Sequence, residues 1–193
     1  MHTEMEAHAA VEWTEDRIMA LTRAELVRLW TACPAVEMAE LDGEYKGLVP
    51  NKGNKRAEEA YAKVLFDENS PRGYWLGKAF APRSSSKGDG YNRWRRPDGS
   101  VDRYMRFATE MGTSLIDGKP ALLMYYGAYR HRFVPEGKSN TLIDEIRKLA
   151  DGVYLGLATT EATDGSRTTP DHFVLLGPTG RYIGVDDPAE ELI

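Results

Sequence analysis

The stretch that decides the fold is Asn140–Thr160, with the sequence NTLIDEIRKLADGVYLGLATT. It fits two structures. As a helix, its apolar residues form one stripe that ends at Gly152, and Asp144 then lies on the solvated face. As a β-hairpin, Asp151-Gly152 supplies a tight turn with positive φ, and the two-residue period of a strand places Asp144 on the same face as Ile146. Only the hairpin makes Asp144 a candidate for binding or chemistry.

The surrounding sequence favours the hairpin, because apolar residues alternate with polar ones in most of the chain from residue 73 onward. A Ser/Gly-rich loop is predicted at 83–90, and tight turns are predicted at Pro97-Asp98-Gly99-Ser100 and Asp117-Gly118. With the pair in 140–160, these features give about seven or eight antiparallel strands, which close most naturally into an up-and-down barrel. The other strands are predicted at 41–49, 73–82, 91–96, 101–116, 119–127 and 172–178.

Helical patterns are concentrated before residue 67. A short helix is predicted at 14–20, and a longer one at 21–33 has a capping box formed by Thr22 and Glu25 and stops at Pro34. Another helix is predicted at 54–66. The fold class is therefore mainly β, an antiparallel barrel with an N-terminal helix and a second helix between early strands. The predicted organisation is a tail and short helix at 1–21, one barrel domain at 22–185 and a tail at 186–193.

Composition narrows the possible partners. The 193 residues include 25 basic and 30 acidic side chains without a long run of either sign, so no nucleic-acid surface is expected. Cys33 is the one cysteine, and neither it nor the histidines have the spacing of metal ligands, so we predict no metal site. The chain shows neither a signal peptide nor 18 consecutive apolar residues, which predicts a cytoplasmic protein that does not insert into a membrane.

Two-residue turns would fix which side chains point into the barrel. Across Asp117-Gly118 they pair Met111 with Met124 and Thr109 with Tyr126, and across Asp98-Gly99 they pair Trp94 with Arg103. The inward face of the strand that starts at residue 101 is then predicted to carry Arg103, Met105, Phe107, Thr109 and Met111.

The same rule applied to Asp151-Gly152 pairs Asp144 with Thr159 and turns Arg147 to the outer side. A buried carboxylate without a partner costs several kcal/mol, so an inward Asp144 needs an arginine, a tyrosine hydroxyl or a ligand.

Several motifs, taken in chain order, carry a resemblance to a known family. The helix AELVRLWTACP precedes the Gly43–Gly47 strand GEYKG, and GYWLGKAF and TLIDEIRKLADGVYLGLAT follow. Over roughly residues 22–177 the chain resembles the bacterial GXWXG family of lipocalin-like (calycin) domains. Tyr45 replaces the family's tryptophan, and Ile146 replaces an aromatic residue before Arg147. The resemblance implies a calycin barrel under an N-terminal helical cover, and the family's Asp and Arg correspond to Asp144 and Arg147. It implies no activity.

Two hypotheses for function follow. The first is binding of a small hydrophobic or aromatic molecule with a polar oxygen or carboxylate end, because the predicted interior combines aromatic, Met and a few polar side chains. Arg103, Tyr126 and Asp144 would fix the polar end of the ligand, and Tyr45 and Trp75 would close the far end. The full predicted ligand-binding set is Tyr45, Trp75, Trp94, Arg103, Met105, Phe107, Thr109, Met111, Met124, Tyr126 and Asp144.

The second hypothesis is an enzyme that needs no cofactor, such as a cyclase, isomerase, lyase or hydratase acting on a similar molecule. Asp144 or His172, which alternates with Val174, would be the base, and Tyr126 or Arg103 would stabilise negative charge. A third possibility, a purely structural domain, requires a filled barrel. The sequence leaves a homodimer possible and names no ligand.

Overall fold

The structure is a computed structural model that describes residues 12–50 and 53–185. Residues 1–11 of the predicted N-terminal tail and the predicted tail at 186–193 lie outside these ranges. Its helices are α1 (Glu15–Met19), α2 (Arg23–Ala32) and α3 (Lys55–Leu65), with short 3-10 turns at Met38–Glu40 and Tyr126–Ala128. The strands are β1 (Gly43–Leu48), β2 (Tyr74–Pro82), β3 (Lys87–Arg95), β4 (Val101–Thr113), β5 (Pro120–Tyr125), β6 (Ile143–Ala150), β7 (Val153–Thr159) and β8 (Asp171–Gly180).

The eight strands form a closed antiparallel barrel in which each pairs with its neighbours in sequence and β8 pairs with β1. The predicted fold class is therefore confirmed, including the N-terminal helix and the helix between the first two strands. The capping box of Thr22 and Glu25 begins α2 as predicted. The stretch Asn140–Thr160 is the hairpin of β6 and β7, and not a helix. The predicted loop at 83–90 is too long, because β3 already begins at Lys87.

The predicted strand registers are wrong at all three hairpins, and each error has a local cause. A bulge between Lys148 and Ala150 pairs Asp144 with Ala158 instead of Thr159. Between β3 and β4, the amide of Arg96 donates to the carbonyl of Ser100, and this wider turn pairs Trp94 with Asp102 instead of Arg103.

Between β4 and β5, the loop 114–119 is held by the Ser114 side chain, which accepts from the amides of Ile116 and Asp117. It shifts the register by two residues, so Met111 pairs with Leu122 and Thr109 with Met124. Because the shift is even, the faces of both strands are kept.

Two further bulges decide which side chains reach the interior. Met105 has a φ of 56°, which is rare for a residue with a side chain, and the register between β3 and β4 shifts beside it. In β2, the register shifts between Trp75 and Gly77, so that Trp75 and Lys78 both point inward although they are three residues apart. Simple alternation along the sequence fails at both places.

The core has two layers separated by the barrel wall. The inner layer fills the barrel with aromatic and aliphatic side chains, among them Tyr45, Phe80 and Tyr154. The outer layer packs Ile18 of α1 with Leu26 and Trp30 of α2 against the outside of β7 and β8. The apolar side of α2 therefore covers the barrel from outside.

The two ends of the barrel are closed differently. At one end, the 3-10 turn Met38–Glu40 lies across the opening, where the carbonyl of Glu40 accepts from the Tyr45 hydroxyl and the Met38 sulfur lies 3.9 Å from the Thr109 hydroxyl. At the other end, α3 lies over the opening. None of the eleven residues of α3, all of which the structure describes, is fully buried. We call this second end the mouth.

Candidate functional site

The mouth half of the barrel contains a cavity of about 430 Å³ beneath α3. Its upper wall includes Tyr61, Val64 and Leu65 of α3, and its sides are aromatic and aliphatic. In the opposite half of the barrel, buried side chains contact one another, among them Tyr45 with Phe80 and Tyr154. The purely structural hypothesis required a filled barrel, whereas this cavity borders Asp144. The lining residues are Val49, Ala60, Tyr61, Val64, Leu65, Arg72, Trp75, Lys78, Asn92, Trp94, Met105, Tyr126, Leu142, Asp144, Ala158, Thr160, Asp171, His172 and Phe173.

The floor of the cavity is a buried polar cluster of Lys78, Asn92, Tyr126 and Asp144, which we call the floor cluster. The Lys78 ammonium lies 2.7 Å from Asp144 Oδ2, 2.5 Å from the Tyr126 hydroxyl and 3.0 Å from Asn92 Oδ1. Tyr126 donates to the same Asp144 Oδ2 over 2.9 Å. The side chains of Lys78 and Asp144 are 4% and 3% exposed, so this is an ion pair almost entirely removed from water.

The hydrogen bonds of the floor cluster are nearly complete. Asn92 donates to the Tyr126 hydroxyl and to the carbonyl of Met105, and its oxygen also accepts from Trp75 Nε1. Asp144 Oδ1 is the exception. It is buried and accepts no hydrogen bond from any residue that the structure describes. An unsatisfied carboxylate oxygen in an apolar cavity is costly, and a ligand that donates a hydrogen bond would remove that cost.

A second unsatisfied atom, Trp94 Nε1, belongs to the same cavity. This buried N–H finds no acceptor within residues 12–50 and 53–185. Trp94 follows Asn92 by two residues on β3, so its ring is the next inward side chain toward the mouth. Among the described residues that line the cavity, Asp144 thus holds an acceptor and Trp94 a donor without a protein partner.

The environment of the Lys78 ammonium combines burial with aromatic rings. Burial lowers the pKa of Lys78, and the adjacent Asp144 carboxylate opposes that shift. The ring centroids of Trp75, Phe107 and Phe173 lie between 5.2 and 5.8 Å from Nζ, within the range of cation–π attraction. The ammonium is thus held by aromatic faces as well as by Asp144.

Polar contacts at the rim attach α3 to the barrel. The Tyr61 hydroxyl donates to Asp171 Oδ2 at the start of β8, which couples the helix to the wall. Burial, and secondarily the Asp171 carboxylate, raises the pKa of Tyr61 well above its usual value. The hydroxyl therefore remains the proton donor of this contact at neutral pH.

The structure divides the predicted site residues into three groups. Trp75, Trp94, Met105, Tyr126 and Asp144 line the cavity together. Five others are not among the residues that line the cavity and lie in the packed interior of the barrel or against it: Tyr45, Phe107, Thr109, Met111 and Met124. Tyr45 and Trp75 do not close the same end, since Trp75 lines the cavity and Tyr45 contacts the turn at the opposite end.

Arg103 lies outside the barrel, contrary to the prediction. Its guanidinium lies 2.7 Å from Glu44 Oε1, beside the Tyr91 hydroxyl, and does not line the cavity. The bulge at Met105 is the reason, because it reverses the alternation of the residues before it.

His172, which alternates with Val174, was a candidate base that could face the barrel interior. The two do share a strand face, but it is the outer one, since Val174 belongs to the layer under α2 whereas Phe173 and Leu175 fill the barrel. His172 nevertheless borders the cavity where β8 begins.

Sequence reasoning missed Lys78 and Asn92, which complete the floor cluster. Lys78 was not predicted because a two-residue period counted from Trp75 places it outside the barrel, whereas the bulge in β2 turns it inward. Gly77 is the residue whose type could have indicated this bulge. Its φ is +128°, and a Cβ there would meet the Tyr45 carbonyl oxygen at 2.1 Å, so the position requires glycine.

The barrel and its cavity define the class of this protein, a closed eight-stranded antiparallel β-barrel with an internal pocket at one end. No protein-family model and no curated protein sequence matches the chain. It is similar to a crystal structure of a protein from Thermomonospora curvata, with a TM-score of 0.53 and 18% sequence identity over 81% of this chain and 87% of the other. At this identity the likeness establishes a shared fold.

Within 12–50 and 53–185, no three His, Cys, Asp or Glu side chains are grouped so that they could hold a metal ion. Over the same ranges, every helix is too short or too polar to span a membrane.

Proposed function

We propose that this protein binds a small hydrophobic or aromatic molecule with a polar oxygen-containing end inside the barrel. The observation that carries the proposal is Asp144 Oδ1, a buried and unsatisfied acceptor at the floor of a mostly apolar cavity. A domain whose interior served only packing would gain stability by filling this space and satisfying this atom.

The size and lining of the cavity support the same proposal. A volume of about 430 Å³ falls within the range of roughly 300–1,000 Å³ that is typical of small-molecule sites. Such sites combine apolar walls with a few fixed polar groups. Here Trp75, Trp94 and Phe173 supply aromatic walls, and Met105 supplies a flexible one.

A relationship to the GXWXG type of lipocalin-like (calycin) domains remains part of the proposal. Its support is the position of the motifs in the fold. The GEYKG segment is β1, the WLGKAF segment forms most of β2, and the I-D-x-x-R segment begins β6. Asp144 and Arg147, the residues that correspond to the family's Asp and Arg, lie on opposite faces of β6 and have different surroundings.

The proposal is tested with the neutral fluorescent probe N-phenyl-1-naphthylamine and a variant that fills the cavity. Ala158 lines the cavity opposite Asp144 in the β6–β7 pair, so Ala158→Leu should weaken binding of the probe by about tenfold or more. Ala24→Leu, on the exposed side of α2, is the matched control and should bind like the unmodified protein. Absence of saturable binding by the unmodified protein, or equal affinity in both variants, would refute the proposal.

A second candidate function is favoured by the acid–base groups of the floor cluster. Asp144 Oδ1 is positioned to accept a proton from a bound molecule, while the Tyr126 hydroxyl and the Lys78 ammonium could stabilise negative charge. An isomerase, cyclase, lyase or hydratase would use such groups. Mass spectrometry of a metabolite extract after incubation distinguishes retained from converted compounds. Under the enzyme alternative, Asp144→Asn abolishes conversion. Under the binding proposal, the extract contains retained compounds and no converted ones.

A further inference from the structure

We infer that the natural ligand is an alcohol or phenol, whose hydroxyl donates to Asp144 Oδ1, rather than a carboxylate bound at the cavity floor. The inference rests on the proposed function and specifies the chemical class of the ligand. It follows from counting the donors and acceptors that the floor cluster leaves unused.

The Lys78 ammonium has no donor left for a ligand. Lysine carries three N–H donors, and here they point to Asn92 Oδ1, the Tyr126 hydroxyl and Asp144 Oδ2. A carboxylate at the floor would therefore meet a cation that is already fully engaged. It would also approach the second oxygen of Asp144, which carries a like charge.

The other floor groups are engaged as well. The single proton of Tyr126 is donated to Asp144 Oδ2, and both N–H groups of Asn92 are used within the protein. A second basic side chain, Arg72, borders the cavity but belongs to the segment before β2, at the mouth. The floor thus presents an acceptor, Asp144 Oδ1, and needs a donor from the ligand.

Trp94 Nε1 bears on the chemical class of the ligand as well. A hydroxyl group can donate one hydrogen bond and accept another, whereas an ammonium group can only donate. Among the residues that the structure describes, Asp144 Oδ1 is a buried acceptor and Trp94 Nε1 a buried donor without a partner, and both residues line the cavity. A hydroxyl can pair with either kind of atom. The apolar and aromatic walls require the rest of the ligand to be hydrophobic.

The test compares 2-naphthol with 2-methoxynaphthalene, which share one ring system and differ in whether the oxygen can donate. Each competes against N-phenyl-1-naphthylamine at neutral pH. A hydrogen bond to a charged acceptor predicts that 2-naphthol binds at least about tenfold more tightly than its methyl ether. Equal affinities, or tighter binding of the ether, would overturn the inference and leave the proposed function standing. If neither compound nor the probe binds, both fail.

A variant gives an independent readout, because it should change the preference rather than only the affinity. In Asp144→Asn, the amide oxygen is expected to face Lys78 and Tyr126, so its NH₂ group faces the cavity as a donor. The advantage of 2-naphthol over the ether should fall at least about tenfold or reverse. Asp171→Asn is the matched control, since that carboxylate also lines the cavity but accepts from Tyr61, and it should keep the preference. A preference unchanged in Asp144→Asn would contradict the inference.

Discussion

Lys78 Nζ and Asp144 Oδ2 lie 2.7 Å apart across the barrel interior, although their strands, β2 and β6, are not neighbours in the sheet. The pair joins opposite walls at the level where the packed half of the barrel meets the cavity. Tyr126 hydrogen-bonds to both partners. One buried contact therefore both holds the walls together and forms the floor of the site.

Removing one partner of the Lys78–Asp144 pair should destabilise the folded protein strongly. Lys78→Met leaves the Asp144 carboxylate buried without its cation, and we expect the free energy of unfolding to fall by about 3–5 kcal/mol. The double variant Lys78→Met with Asp144→Leu should lose much less, because it leaves no unpaired charge. Urea denaturation measures both. Lys55→Met is the control, because the Lys55–Glu59 pair is 89% and 64% exposed and its loss should cost less than about 0.5 kcal/mol. Additive losses in the double variant would contradict the prediction.

Arg147 is predicted to be indispensable for stability. Its guanidinium is fully buried, binds both oxygens of Asp117 at 2.6 and 2.7 Å, and donates to the backbone carbonyls of Trp30 and Pro120. It also stacks 4.2 Å from the Trp30 ring. Lysine keeps the charge but cannot reproduce these contacts, so Arg147→Lys should lower the free energy of unfolding by several kcal/mol, on the order of 3.

The control for Arg147→Lys is Arg103→Lys, because the Arg103 side chain is 22% exposed. Arg103→Lys should lower the free energy of unfolding clearly less than Arg147→Lys. Similar losses for the two variants in urea denaturation would show that burial and the multiple acceptors of Arg147 do not matter.

The Arg147 contact should also make stability depend on pH in the acid range. Arg147 holds the pKa of Asp117 at about 2, below its ordinary value of 3.8. Since the folded-state pKa is the lower one, this contribution is complete above about pH 4 and is lost as the pH falls toward 2. The melting temperature of Asp117→Asn should therefore lie below that of the unmodified protein at pH 6, and the difference should shrink as the pH approaches 2. A difference that stays constant over this range would rule out the linkage.

The rate of ligand exchange should depend on how firmly α3 is attached. Tyr61→Phe removes the hydroxyl that donates to Asp171 and leaves the ring in the cavity wall. Loss of one such hydrogen bond should raise the dissociation rate of N-phenyl-1-naphthylamine about two- to tenfold in stopped-flow experiments. Tyr125→Phe, on β5 outside the cavity lining, is the matched control and should leave the rate unchanged. A dissociation rate unaffected by Tyr61→Phe would mean that α3 does not control access.

Local patterns were sufficient to predict the elements and the inward position of Asp144. The Thr22 capping box, the Asp151-Gly152 turn and the alternation of β6 all operate within a few residues of sequence. Asp144 was expected to need an arginine, a tyrosine hydroxyl or a ligand, and Tyr126 supplies the hydroxyl. Its cation could not be identified, because the bulge in β2 that turns Lys78 inward depends on how Gly77 packs against Tyr45.

The sequence by itself determined the order of helices and strands, the closure into an antiparallel barrel and the face of Asp144, because these follow from periodicity and turn chemistry. Only the tertiary structure decided which polar groups meet. Bulges at Met105 and in β2 exclude Arg103 and admit Lys78, and the covering helix α2 buries Arg147 on the outer face of β6. A one-residue irregularity reverses every side chain beyond it. The composition of the cavity floor is therefore a property of the packed barrel and not of any single strand.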